Sequence, residues 1–388
     1  MEPLTWLTWA IASPSALALG MTTFNVATWP RGVATSRVDQ KISILIPARN
    51  EEATIGQCVH AALASEHPLH EVLVFDDGST DRTPEILAQL AARDDRLKVI
   101  QGHGLPDGWV GKPHACHNLA KHATGDVLFF VDADTFLDPS GVARVVGMMR
   151  DMRAQVVTAV PRQITRSWPE RLILPLLHMT YTSWFPLVLT HLSEDPRFLA
   201  ANGQILAIAR AEYDRIGGFE SVKRAVVDDM ALCRRVKSTG SRVVFADGFH
   251  IASCRMYTSA REVWEGFSKN IYPGLGASPV ALAVVLILYF TAFVLPYLMW
   301  PLGLLYAPQI VGAALAGIGV NLALRFVLAL RFRQPPEGLL VHPAAVVGLL
   351  AIAVNSWRWH RAGQIKWSGR VYAPEEDPRP TNAGLEGQ

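Results

Sequence analysis

The chain has 388 residues, half of them hydrophobic, and a mean hydropathy of +0.20. Lys plus Arg total 36 and Asp plus Glu total 34, so no strong basic excess marks a nucleic-acid binder. Four cysteines, Cys58, Cys116, Cys233 and Cys254, stand scattered without a C-x-x-C pair or Cys/His ligand spacing, which supports neither a disulfide framework nor a zinc site.

From Pro3 to Pro30 there is no charged residue. With no basic leader and no small-residue cleavage site, residues 1–30 read as a retained membrane anchor. Arg31, Arg37 and Lys41 follow and place the next domain on the cytoplasmic side.

Alternation begins at 42. "ISILIPA" (42–48) predicts a strand, and 50–65 a helix capped by Asn50. "EVLVFDD" (71–77) is a second strand. "TPEILAQLAAR" (83–93) is a second helix, with Thr83 at its cap and Pro84 at its first position. "LKVIQG" is a third strand, "KPHACHNLAKHA" a helix and "DVLFFVDAD" a fourth strand. This order predicts an α/β fold with a mostly parallel sheet covered by helices on both faces.

Ligands of such sheets sit beyond the carboxyl ends of the strands. Those ends carry Arg49 and Glu51, Asp76 and Asp77, and Asp132 and Asp134; Lys112 follows strand three. The glycine-rich stretch 102–113 lacks phosphate-loop spacing, and strand one is followed by no G-x-G-x-x-G. Asp132 and Asp134, two apart on an extended segment, project to one side with Ala133 opposite. Such paired carboxylates suit Mg²⁺ or Mn²⁺ shared with substrate phosphates.

Residues 172–193 carry no formal charge. Pro175, Pro186, His178 and His191 suit an interfacial or re-entrant segment better than a straight span, with a buried helix pair as the alternative. Downstream, 270–324 is charge-free and holds two predicted spanning helices, 279–303 and 309–330, before Arg325, Arg331 and Arg333. A further apolar segment, 338–356, spans or re-enters. The tail from 358 is basic, and the end of the chain is expected to be disordered. Gln364, Lys366 and Trp367 resemble a Q-x-x-R-W motif with shortened spacing and no Arg, so processive synthesis is not expected.

The motifs "ISILIPARNE", "VLVFDDGSTDRT", "GWVGKPHACHNLA", "LFFVDADT", "NGQILAIARAEYDRIGGF" (202–219), "VVDDMALCRRVKSTG" (226–240) and "CRMYTSAREVWEGFSKN" (254–270) resemble inverting family-2 glycosyltransferases of the GT-A fold. The membrane-anchored branch acting on carotenoid- or hopanoid-like lipids is most similar. That resemblance implies four parts: an anchor at 1–30, a GT-A domain at 40–270, membrane helices at 278–357 and a tail at 358–388. It implies that Pro47, Arg49, Glu51, Asp76 and Asp77 line the nucleoside pocket, and that Lys112, Asp132 and Ala133 contact a UDP- or GDP-linked donor. Asp134 and Asp132 would hold the metal. Asp229, with Asp228 beside it, would be the general base for a lipid hydroxyl. On sequence alone helix capping is the favoured role of both, and the ordered motifs reverse this for Asp229. Arg255, Tyr257, Trp264 and Lys269 would face the acceptor, or anchor the chain at a membrane interface. The resemblance also implies a multi-pass protein of the inner membrane whose catalytic part is cytoplasmic. Rival readings are a polyprenyl-phosphate sugar transferase, a polysaccharide synthase and an inactive binding module.

Overall fold

The computed structural model describes residues 3–34, 40–367 and 370–372. After α1 (Pro3–Thr28) come β1 (Ile42–Ala48), α2 (Ile55–Leu63), β2 (Glu71–Asp76), α3 (Thr83–Ala91), β3 (Leu97–Gln101), α4 (Gly111–His122) and β4 (Val127–Val131). Next are β5 (Thr135–Leu137), α5 (Gly141–Asp151), β6 (Val156–Gln163), three short helices α6 (Trp168–Ile173), α7 (Leu176–Thr182) and α8 (Leu189–Leu192), then β7 (Ile205–Ala209), α9 (Arg210–Arg215), α10 (Asp228–Ser238) and β8 (Val243–Cys254). Helices α11 (Ala260–Gly274), α12 (Pro279–Phe293), α13 (Leu295–Tyr306), α14 (Val311–Phe332) and α15 (His342–Arg361) follow. A hairpin of β9 (Ile365–Trp367) and β10 (Arg370–Tyr372) closes the described chain.

Eight strands form one sheet in the order β3-β2-β1-β4-β7-β6-β8-β5. The β3-β2-β1-β4 half is parallel, whereas β7 pairs antiparallel with both β4 and β6, and β5 antiparallel with β8. The sheet is therefore mixed, a correction to the mostly parallel expectation. The antiparallel strands lie beyond 135, where the sequence alternation of strand and helix stops. A register shift between Pro161 and Arg162 bends the long strand β8 against β6.

Both faces are covered, because β1, β2 and β4 present apolar residues to both sides of the sheet. Ile42, Ile44, Ile46, Val72, Val74, Val127, Phe129 and Val131 join one core. Their neighbours Leu45, Leu73, Phe75, Leu128 and Phe130 join the other. The period-two pleat makes that division.

Helix α2 starts at Ile55, not at Asn50. Asn50 instead takes a left-handed backbone, φ 56°, and its side chain accepts from the Thr80 amide at 2.8 Å. The supposed cap thus ties the end of β1 to the loop after β2. The predicted helix 279–303 is two helices, parted at Val294 ahead of Pro296, whose ring removes an amide donor. The predicted helix 309–330 matches α14.

Segment 172–193 contains no long helix; Pro175 and Pro186 divide it. It packs against α1, where Asn25 Nδ2 donates to the carbonyls of Thr182 and Phe185 at 2.8 and 2.7 Å. Its other side meets α15 through Ile173 and Ile352. Among the described residues one helix, Pro308–Phe332, is by itself long and apolar enough to cross a membrane. Ala260–Gly274 with Pro279–Phe293 qualifies only as a pair, bent by 118°. The tail is helical as far as Arg361, and the end expected to be disordered, 373–388, lies outside the described residues.

Candidate active site

The strand ends converge as the topology requires. At the end of β1, Arg49 Nη1 donates to the carbonyls of Asp77 and Gly78. Asp76 is buried, and its Oδ1 accepts from the Ser79 amide at 3.0 Å, closing the turn after β2. At the end of β4, Ala133 is buried in the core while Asp132 and Asp134 are half-buried. The two-residue spacing thus turns both carboxylates away from the core.

Lys112 enters from the first turn of α4. Its Nζ lies 2.5 Å from Asp132 Oδ1 and 3.3 Å from the Gly203 carbonyl. Asp228 and Asp229 begin α10, and Asp229 Oδ1 accepts from the Met230 amide at 2.8 Å. Both are therefore helix-terminal acids, as the capping reading required. They also face the cleft. A Cβ on Gly203 would meet Lys112 Nζ at 3.2 Å and Asp229 Cβ at 3.3 Å. That glycine is where Lys112 and the α10 acid pair come together.

One cavity of about 720 Å³ joins these groups. Its polar end is lined by Pro47, Glu51, Lys112, Asp132, Ala133, Asp134, Asp228, Asp229, Tyr257 and Lys269. Of the other residues singled out from sequence, Arg49, Asp76 and Asp77 stand beside it, bracing the turn after β2. Arg255 and Trp264 do not line it. Arg255 pairs with the buried Glu170 at 3.2 Å, and Trp264 is exposed on α11. The opposite end of the cavity is apolar. It is built by Leu177 and Tyr181 of α7, Val285 and Tyr289 of α12, and Leu349 and Ala353 of α15. Gln204 and Gly203 also line it; the Asn202-Gly203 turn signal before β7 was the sequence clue to them.

Electrostatically the polar end is crowded with carboxylates. Burial, then the Asp134 charge, pushes Glu51 up to about 7. Burial and Asp132 push Asp134 up to about 6. Burial raises Asp228 to about 6 and also raises Asp229, with Lys112 opposing both. Burial alone would lower Lys112, but Asp132 and Asp228 drive it above its ordinary value. Lys269 is lowered by burial and by Lys112. Five lining carboxylates against two lysines leave negative charge uncompensated.

A hard divalent cation fits this donor set. No group of three or more His, Cys, Asp or Glu is poised for a metal among the described residues. Asp132 and Asp134 would thus supply two oxygens, leaving the remainder of the shell to phosphates and water, the mode typical of Mg²⁺.

Tyr257 reaches the cavity only because Gly266 of α11 lacks a side chain. A Cβ there would fall 2.1 Å from the Tyr257 hydroxyl oxygen. Gly266→Ala should cost about 1–3 kcal/mol through overpacking, read as a lower Tm, whereas Tyr257→Phe should melt close to the unsubstituted protein. Equal melting of Gly266→Ala and the unsubstituted chain would contradict this seat.

The sheet order places two acidic strand ends across a cleft from an acid pair on a helix, in an α/β fold like that of GT-A proteins. The model of glycosyl transferase family 2 matches residues 43–195, which supports a glycosyltransferase of that kind. A 4,4'-diaponeurosporenoate glycosyltransferase from Staphylococcus aureus strain MRSA252 is 29% identical over 339 residues, covering 86% of this chain and 88% of that protein. Its counterpart from the bovine strain RF122 / ET3-1 is 28% identical over 341 residues, with the same coverage. Among solved structures, the mannosyltransferase PcManGT from Pyrobaculum calidifontis, in complex with GDP-Man and Mn2+, superposes with a TM-score of 0.56. It is 17% identical, over 92% of this chain and 98% of that one.

Proposed function

We propose that the chain transfers a sugar, with inversion, from a UDP- or GDP-linked donor to a hydroxyl of a carotenoid- or hopanoid-like lipid at a membrane face. The supporting observation is the single cavity, acidic where the strands end and apolar between α7, α12 and α15. A polar donor and a hydrocarbon acceptor would meet in it. The relatives named for a carotenoid acid support a lipid acceptor. Exposed Val280, Ile287, Leu305, Leu315 and Leu330 on α12–α14 support contact with a bilayer. The catalytic part would then face the cytoplasm, and the inner membrane would be crossed or entered by the bundle helices.

In this reading Pro47 and Glu51 border the nucleoside, and Lys112 holds Asp132 while its ammonium faces the donor diphosphate. A divalent cation, Mg²⁺ or Mn²⁺, held by Asp132 and Asp134, supplies positive charge for the departing diphosphate when bound. Asp229 takes the proton of the acceptor hydroxyl as that oxygen attacks the anomeric carbon from the face opposite the leaving group. Asp228 keeps negative charge next to Asp229, whose basicity is raised by burial and by Asp132 against the pull of Lys112. Tyr257 and Lys269 border the acceptor side. The water-poor apolar end excludes hydrolysis of the donor.

The pH dependence has a fixed sign. Asp134, raised to about 6, serves as a ligand only when ionised, and Asp229, also raised, serves as a base only when ionised, so activity should fall as the pH drops through about 6. A pH–rate profile flat from 7 to 5 would contradict the assigned roles. The function itself is tested by mass spectrometry of lipids from cells producing the chain or Asp229→Asn. A hexosylated lipid should appear only with the former. A ladder of product lengths would favour a polysaccharide synthase, and a sugar-phosphate-linked polyprenol would favour the polyprenyl-phosphate reading.

A further inference from the structure

Phe249, buried in β8, gathers three guanidinium groups. Those of Arg162, Arg331 and Arg333 lie 5.7, 5.8 and 5.6 Å from its ring centroid. They come from separate elements: Arg162 from the end of β6, Arg331 from the last turn of α14, and Arg333 from the left-handed residue that ends that helix. Ring faces attract cations, but three around one ring repel one another.

The nearby acid is Asp247, which takes Arg331 Nη2 and lies 3.7 Å from Arg31 Nε. Asp247 thus serves Arg31 and Arg331, while Arg162 and Arg333 contact the Phe249 ring. Arg331 Nε is buried without a hydrogen-bond partner. A buried guanidinium nitrogen beside surplus positive charge suits hydrogen bonding to an anion.

The surroundings indicate which anion. Immediately before these arginines, Phe326 and Leu330 of α14 are exposed, at 54% and 66%. They continue the apolar surface of the 25-residue helix Pro308–Phe332. A ligand with a phosphate at the arginines and hydrocarbon along Phe326 and Leu330 satisfies both. Free phosphate would satisfy the arginines alone.

We propose that Arg162, Arg331 and Arg333 form a binding site for the phosphate of an anionic lipid headgroup, with the lipid's chains lying along α14. The site is separate from the catalytic cavity and does not depend on the acceptor assigned above. It fixes the depth of α14 at the level of the headgroups. It also clamps that helix to β6 and β8 of the catalytic sheet. Arg–phosphate pairing is bidentate and strong, and anionic leaflets favour such basic clusters.

The test uses the full-length chain in uncharged detergent, with Tm followed as lipid is titrated. Phosphatidylglycerol should raise Tm, while phosphatidylcholine and inorganic phosphate should leave it nearly unchanged. Arg162→Gln combined with Arg333→Gln should need about tenfold more phosphatidylglycerol for the same rise, because two charge-assisted contacts are gone. This pair spares the Arg331–Asp247 bond. If the pair does not fold, Arg333→Gln alone, at an exposed position, carries the titration. Equal shifts from phosphatidylcholine, a shift reproduced by inorganic phosphate, or a variant that titrates like the unsubstituted chain would each overturn the lipid-headgroup site.

Discussion

Asp229→Asn should lower kcat by about 10²–10⁴, the range of general-base assistance, and leave donor affinity nearly unchanged. The amide is isosteric and keeps an oxygen for the Met230 amide, so the start of α10 is preserved. What is lost is proton affinity at the one carboxylate that packs against Gly203 opposite Lys112. Asp228→Asn should cost less, because its role is to hold charge next to the base. Equilibrium binding of nucleoside diphosphate and single-turnover kinetics separate these effects. A kcat within about threefold of the unsubstituted protein would return Asp229 to a purely capping role.

The second large effect is expected at Asp134. Asp134→Asn should reduce transfer by about 10²–10³, the usual consequence of removing one preorganised electrostatic stabiliser. It should also blunt the response to added Mn²⁺. Stability should move the other way in chelator. Asp134 is raised because burial and the neighbouring Asp132 charge disfavour its ionised form, so neutralising it relieves repulsion and should raise Tm. With Mn²⁺ present the unsubstituted protein should regain the advantage. The crossover discriminates: a merely structural Asp134, bonded to Thr135 at 3.1 Å, would give a lower Tm for Asp134→Asn in both conditions.

How legible this was in the sequence varied with the distance over which each feature is encoded. Asp132 and Asp134 could be read locally, since the pleat alone separates them from Ala133. The β1–β4 half of the sheet was legible for the same reason, because each strand and helix is a contiguous pattern. The antiparallel half was not. β7 threads between β4 and β6, and β8 bends at a register shift, and no local periodicity records either. Asp228 and Asp229 look like ordinary helix-start acids; only the ordered motifs singled them out.

The apolar end of the cavity was invisible for a different reason. Tyr181, Tyr289 and Leu349 lie far apart in the chain and meet only when α7, α12 and α15 pack. The break of 172–193 at its prolines was foreseeable and its burial was one of the two readings open, but its partners α1 and α15 were not legible. Asn50 was misread as a cap because Asn serves both helix starts and left-handed turns. Arg255 and Trp264 sit in a motif that resembles the family's, yet one side chain braces Glu170 and the other faces outward.

The decisive measurement is anomalous diffraction from crystals of the full chain grown with Mn²⁺ and a nucleoside diphosphate. The manganese peak should fall between Asp132 and Asp134, with the diphosphate beside Lys112 and the Asp229 carboxylate across the same cavity. A peak elsewhere, or a nucleotide bound outside the cleft shared by Asp134 and Asp229, would contradict the assigned chemistry.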